Sequence, residues 1–302
     1  MNTRPLRGYG RRLAWKLHPP VLALGGGGAR GFAHIGILES IENHGLEIRR
    51  IAGTSMGAVV GAMYSATASA AAVRQRWKEA LAQGLIPEIR STGTRENGDN
   101  IRHPLLQRAR KLKDTLIVAF AIHRESVIDD LRMVRALEFL LPEGNIGELG
   151  IPFCCTATNL EDGKEIDLCD GPIRQCVKAP ATVPGIAPAV AMEDRHLVDG
   201  GVVAEVPVEL ADRMGGPILA VDVSMDIPGA GREDTALDTM MRTQMMTSQL
   251  LRQYQLRKAR WVIRPKVGGA LWSEWDRFEE MINAGRRAMD LWFEGQNTPE
   301  ED

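Results

Sequence analysis

The sequence predicts an α/β fold, a mostly parallel sheet with helices covering both faces. Three observations lead there. Short, continuously apolar runs such as Val21-Leu22-Ala23-Leu24 and Ile218-Leu219-Ala220-Val221 read as strands buried on both sides. Stretches with apolar residues at helical spacing lie between them. Two glycine-rich turns, Gly25-Gly26-Gly27-Gly28-Ala29-Arg30-Gly31 and Gly53-Thr54-Ser55-Met56-Gly57, each follow a strand and open a helix. Such alternation places successive strands in parallel.

Taken in order, a strand at 21–24 leads to a helix at about 30–44, then a strand at 48–52 and a helix from about 56. Arg74-Gln75-Arg76-Trp77-Lys78 belongs to a further helix ending near Gly84. Residues 91–100 are polar and turn-rich and read as a loop. Leu105, Ala109, Leu112, Leu116 and Phe120 recur at a helical period, so about 91–124 is expected as an inserted segment containing a helix. Another helix is expected at 126–141. Pro152 to Thr158 resembles a buried strand, and Glu161-Asp162-Gly163-Lys164 is a turn leading to a strand at 165–169. His196-Leu197-Val198 is a short strand ending at Asp199-Gly200-Gly201, and a strong strand follows at 218–223. A long helix at about 234–258 and a strand at 261–264 come next. The final helix lines Phe278, Met281, Ile282, Gly285, Ala288, Met289 and Trp292 along one face. The reading gives one domain, 21–294, after a basic segment 1–20 and before a frayed tail, 295–302.

With 302 residues, 44% of them hydrophobic, the chain is ample for a buried core and near the upper size for one domain. A net charge of -2 makes no global case for a nucleic-acid partner. Locally the balance shifts. Residues 1–16 carry Arg4, Arg7, Arg11, Arg12 and Lys16 with no acid, and 102–124 carry six basic residues against Asp114 alone. These runs read either as solvated faces or as peripheral contacts with an anionic membrane near the site. Val21–Leu24 is too short for a signal sequence. The uncharged stretch Ile51–Val73 is rich in small residues and reads as a soluble helix. Cys154, Cys155, Cys169 and Cys176 show no metal spacing and read as small hydrophobes in a reduced interior, which points to the cytoplasm.

Gly-x-Ser-x-Gly suits a serine on a sharp strand-to-helix turn, with Gly53 and Gly57 keeping neighbouring space open. Ser55 would then sit at a helix N-terminus, where free N–H groups favour developing negative charge. Gly26-Gly27-Gly28-Ala29-Arg30-Gly31 also satisfies the dinucleotide fingerprint, but that reading wants an acid at the end of the second strand. Ala52-Gly53-Thr54-Ser55 stand there instead, so the loop reads as an oxyanion cradle. Arg30 would steady the loop or the anion, or form a structural salt bridge. The base is harder to find. An α/β-hydrolase triad needs a late histidine, and none follows His196. His196 and Asp199 are three apart on a strand and face opposite ways. His34 and His44 sit at helical positions where packing is the plain account. Asp199, ending an apolar strand before Gly200-Gly201, is the best candidate to act directly on the serine; a turn aspartate is the alternative.

Gly26-x-Gly28-x-x-Gly31, Gly53-x-Ser55-x-Gly57 and Asp199-Gly200-Gly201 resemble, in order and spacing, the patatin-like phospholipases. The stretches Gly25–Glu39 and Ile51–Ala58 look like the bacterial branch related to neuropathy target esterase. Thr156–Leu160, Pro184-Gly185-Ile186 and Leu197–Val203 support the resemblance, which spans roughly 20–265. It implies a three-layer α/β/α sandwich and a serine hydrolase of lipid carboxylic esters, such as phospholipids and lysophospholipids. Ser55 would be the nucleophile and Asp199 the base, with neither metal nor cofactor. Gly26, Gly27, Gly28, Arg30 and Gly31, with Met56 beside the nucleophile, would form the oxyanion and substrate site. Ala187-Pro188-Ala189 replace the usual aromatic and prolines, and Ala204-Glu205 stand where Asn-Pro is common, departures that bear on pocket shape. A non-catalytic lipid- or partner-binding protein on the same scaffold is the alternative function, and a dinucleotide-binding oxidoreductase the third.

Overall fold

The computed structural model describes residues 4–86, 130–225, 227 and 236–296. The polar loop 91–100, the cationic segment 102–124 and the end of the tail lie outside these residues.

The strands are β1 (Val21–Leu24), β2 (Arg50–Gly53), β3 (Phe153–Asn159), β4 (Glu165–Leu168), β5 (Val190–Met192), β6 (Arg195–Asp199), β7 (Ile218–Val221) and β8 (Trp261–Ile263). They form one sheet in the order β5-β6-β3-β2-β1-β7-β8, with β4 paired to β3 as well. The run from β3 to β8 is parallel, whereas β4, β6 and β5 join antiparallel. Side-chain alternation splits the core in two. Leu22, Leu24, Ile51, Leu219 and Val221 face one helical layer. Val21, Ala23, Ala52, Ile218 and Ala220 face the other. The first layer holds α2 (Ala33–Asn43), α3 (Met56–Thr67), α4 (Ala70–Ala82), α5 (Asp130–Leu140) and α9 (Phe278–Phe293). The second holds α7 (Val208–Met214) and the end of α8 (Ala236–Leu256). The result is the three-layer α/β/α sandwich.

Besides the helix Arg4–Leu17, two short helices and one short strand were absent from the sequence reading: α6 (Ile173–Lys178), α7 and β5. Each of these short elements is three to seven residues long, too short to show a period. Residues 1–20 also contain more than a basic segment. They form α1 (Arg4–Leu17), whose Trp15 is fully buried against Trp292 and Phe293. The Trp15 indole N–H donates to the Glu47 carbonyl, ahead of β2. Because β1 starts at Val21, α1 lies at the amino-terminal edge of the sheet, away from the glycine turns at its carboxyl edge. The expected place of residues 1–16 beside the site is therefore not what the chain adopts.

The cysteines need a second correction. Cys154 and Cys169 are bonded as a disulfide across the β3–β4 pair, while Cys155 and Cys176 are free and buried as expected. Antiparallel pairing of Cys155 with Leu168 sets the two neighbouring cysteines opposite each other, with Cα atoms 4.3 Å apart. A reduced interior does not describe this pair, and the argument for the cytoplasm drawn from it falls.

Helices α2 and α9 approach backbone to backbone. A methyl group on Gly36 would lie 1.9 Å from the Ile282 carbonyl oxygen, and one on Gly285 would lie 1.9 Å from that of Ala33. Gly285→Val should therefore force the helices apart and cost about 3 kcal/mol or more, as overpacking does. A urea titration would read this as a lower midpoint at unchanged slope.

Candidate active site

Strand register places the two glycine turns side by side. Leu24 pairs with Gly53, so Gly25 and Thr54 leave the sheet at the same level. Thr54 N–H bonds the Leu24 carbonyl at 3.1 Å, and the Thr54 hydroxyl donates to the Ala204 carbonyl at 3.0 Å. Ser55 follows with φ 53° and ψ −125°, then α3 begins at Met56. Positive φ is a strained setting for a residue with a Cβ, and it turns the serine side chain out of both the strand and the helix. The two motif glycines make room for it. A methyl on Gly57 would sit 2.1 Å from the Leu24 carbonyl oxygen, and one on Gly53 2.6 Å from Ala58 Cα.

Asp199 arrives from the opposite direction. β3 pairs with β4 through Cys155–Thr158, with β2 through Phe153–Cys155, and with β6 through Ala157–Asn159. Since β4 fills one edge of β3, β2 and β6 must share the other. They run toward each other along it, β2 ending at Gly53 opposite Cys155 and β6 ending at Asp199 opposite Ala157. Thus the two strand ends meet. The Ser55 side chain comes near enough to the Asp199 carboxylate to favour its ionised form. The Gly201 N–H donates to Asp199 Oδ1 at 2.7 Å, and Thr158 Oγ1 and the Thr182 carbonyl hold the Asp199 backbone. Gly200 lets β3 pass close by, since a methyl there would lie 2.3 Å from the Thr156 carbonyl oxygen. Burial pushes the Asp199 carboxyl up to about 6, against the downward pull of Ser55 and of the Gly201 hydrogen bond, and nearby Glu205 adds to the rise.

The glycine loop lies against Ser55. A methyl on Gly26 would be 3.1 Å from Ser55 Cβ. The Gly25 and Gly26 N–H groups donate to the carbonyls of Val221 and Glu205, at 3.1 and 2.8 Å. Gly27 and Gly28 N–H have no acceptor among the described residues, nor does Met56 N–H at the start of α3. Gly28 takes φ +57°, and the Trp272 carbonyl packs on it while accepting the Ala29 N–H at 2.7 Å. Gly31 leaves space for Met56, whose Cγ would lie 2.3 Å from a methyl there. Arg30 is buried and donates to the carbonyls of Val223 and Ala270, at 3.0 and 3.3 Å. It braces the loop. His34 is fully buried below, bonded through Nε2 to the Gly25 carbonyl at 2.8 Å, and burial lowers it to about 4. His196, by contrast, is exposed and pairs with Glu161.

An apolar cavity opens beside Ser55. Gly28, Met56, Trp77, Leu137, Ile186 and Trp272 are among the residues around it. No sequence motif marked Trp77 or Trp272. The signal present was an uncharged loop, Val267 to Ser273, after the last strand.

A family model described as patatin-like phospholipase matches residues 22–212. The chain belongs to the patatin-like phospholipase family. An uncharacterized NTE family protein of Mycobacterium tuberculosis is 30% identical over 206 residues, covering 68% of this chain and 47% of its own. A protein named lysophospholipase NTE1, of Mycosarcoma maydis, is 28% identical over 203 residues, 67% of this chain and 9% of that one. The chain thus spans less than half the length of these relatives. Among solved structures, VipD from Legionella pneumophila matches 94% of this chain and 72% of its own, at 11% identity and a TM-score of 0.41.

If positive φ strains Ser55, removing its Cβ should relieve the strain. Ser55→Gly should unfold at a higher temperature than Ser55→Ala, with a gap equivalent to about 1 kcal/mol. Differential scanning calorimetry of the pair checks this.

Proposed function

We propose that the protein is a serine hydrolase of lipid carboxylic esters, phospholipids or lysophospholipids among them, working through Ser55 and Asp199. The observation that carries the reading is a strained serine close to a buried carboxylate, beside unpaired backbone amides and an apolar cavity. Ser55 Oγ attacks the ester carbonyl carbon while its proton passes to Asp199. Negative charge grows on the carbonyl oxygen, which the Gly27, Gly28 and Met56 amides stabilise, aided by the N-terminus of α3. The tetrahedral intermediate collapses, and the alcohol leaves with the proton from Asp199. Water then attacks the acyl-serine, giving its proton to Asp199. The fatty acid departs and Ser55 is restored. The cavity takes the acyl chain, because its apolar walls offer nothing to a charged headgroup.

The relatives' names favour lipid as the substrate class. No helix among the described residues is long and apolar enough to cross a membrane. In this reading the enzyme meets lipid as a peripheral visitor at the surface of an anionic membrane. Segment 102–124 is the expected contact. A binding protein without activity would also use the cavity, but would have no use for a strained serine on a carboxylate. A dinucleotide fits less well, since the Trp272 carbonyl already occupies the Ala29 amide.

Ser55→Ala should abolish hydrolysis of p-nitrophenyl butyrate and labelling by a fluorophosphonate, a loss of at least about a thousandfold. Retained turnover would refute the reading, and absence of turnover in the unaltered protein across a panel of chromogenic esters would favour the binding protein. The pH dependence follows from Asp199. Its carboxylate must be ionised to accept a proton, and it ionises at about 6. So kcat/KM should be level above that pH and fall about tenfold per unit below it. A profile flat down to pH 4 would remove Asp199 as the base.

A further inference from the structure

Behind the glycine loop lies a cluster of charges that ester hydrolysis leaves unused. Arg252, near the end of α8, is almost fully buried and donates from Nη1 to Glu205 Oε2 at 2.8 Å. Its Nε lies 3.3 Å from Asp222 Oδ2. Asp222 is buried too, pairs with Arg264 at 3.2 Å and accepts the Ser224 N–H. Gln255, one turn on from Arg252, donates to the Val203 carbonyl at 2.8 Å.

What Arg252 bridges is the point. The segment around Glu205 supplies the carbonyl that holds Gly26, and its neighbour Ala204 supplies the one that holds Thr54 beside the serine. The segment around Asp222 supplies the carbonyls of Val221 and Val223, which hold Gly25 and Arg30. Three of the loop's attachments, at Gly25, Gly26 and Arg30, therefore hang on two pieces of chain, and one guanidinium joins the two. A guanidinium suits this task, since it stays charged when buried and spreads that charge over several nitrogens, one hydrogen-bonded to Glu205 and another close enough to Asp222 for an ion pair.

We propose that Arg252 is the positioning residue of the oxyanion loop, fixing the Gly27 and Gly28 amides through its paired grip on Glu205 and Asp222. This rests on the hydrolase reading above. Arg252 touches neither substrate nor reacting atoms; it sets where the loop's amides point. Glu205, one of the departures from the family pattern, is the other half of the bridge, and its negative charge also disfavours ionisation of Asp199. The groups reaching Asp199 are Ser55, the Gly201 amide and Glu205, so a neutral residue at 205 should ease its ionisation.

Arg252→Lys and Glu205→Gln separate placement from folding. In each, kcat on p-nitrophenyl butyrate, counted per fluorophosphonate-titrated serine, should fall about tenfold, a fraction of what losing an oxyanion donor costs. KM should stay within about threefold, because the acyl cavity is untouched. Glu205→Gln should also move the acid limb of the rate profile to lower pH. A variant that keeps the wild-type melting temperature and the wild-type kcat overturns the proposal, as does a loss confined to KM. Should Arg252→Lys fail to fold, Glu205→Gln decides by kcat and the acid limb together. Ser55→Ala is run alongside. If it remains active, the hydrolase reading fails; if it is dead while both bridge variants match wild type, only the bridge fails.

Discussion

The contact between Ser55 and Asp199 exists because two strands running in opposite directions end against one edge of β3. A strand has two edges, and β4 takes the other for itself. Nothing in either glycine motif specifies this meeting. It depends on β6 joining antiparallel, which turns its last residue back toward the carboxyl end of β2. The antiparallel strands at one side of the sheet are what a purely parallel arrangement would lack, since there every strand end points the same way.

Around that meeting the backbone is crowded, and the crowding explains the motif spacing better than flexibility does. Gly53, Gly57 and Gly200 each lie where a methyl group would fall within 2.6 Å of another backbone atom. They let α3, β1 and β3 close on one another until Ser55 and the Asp199 carboxylate lie near each other. Burial then does the electrostatic work. Asp199 is walled off from water, so its charge is poorly solvated and its basicity rises, while Ser55 and the Gly201 hydrogen bond keep the rise moderate.

Much of this was legible in the sequence, and the reasons it was so are local. The runs at 21–24 and 218–221 could only be buried strands, and the glycine turns after 24 and 53 were readable because strand-to-helix turns with close backbone contact demand that composition. Asp199 could be picked out by its place at a strand end before two glycines. Its pairing with Ser55 was reached by setting the histidines aside and was then supported by the family resemblance, because no spacing in the chain reveals which strands share an edge. The disulfide was hidden for the same reason: Cys154 and Cys169 meet through hairpin register, and register is not written in cysteine spacing. Arg252 carried no signal at all. On a 21-residue helix one arginine looks like any solvated charge until the fold turns it inward.

The pairing of α2 with α9 and of α1 with Trp292 and Phe293 has a consequence for how the molecule is made. Ile35, Leu38 and Trp15 belong to elements synthesised more than 200 residues ahead of the helix that covers them. During that interval the nascent sheet has no finished layer on this side, and greasy residues wait in water. Closure between partners so remote in the chain is entropically slow, and the exposed faces stay open until it is complete.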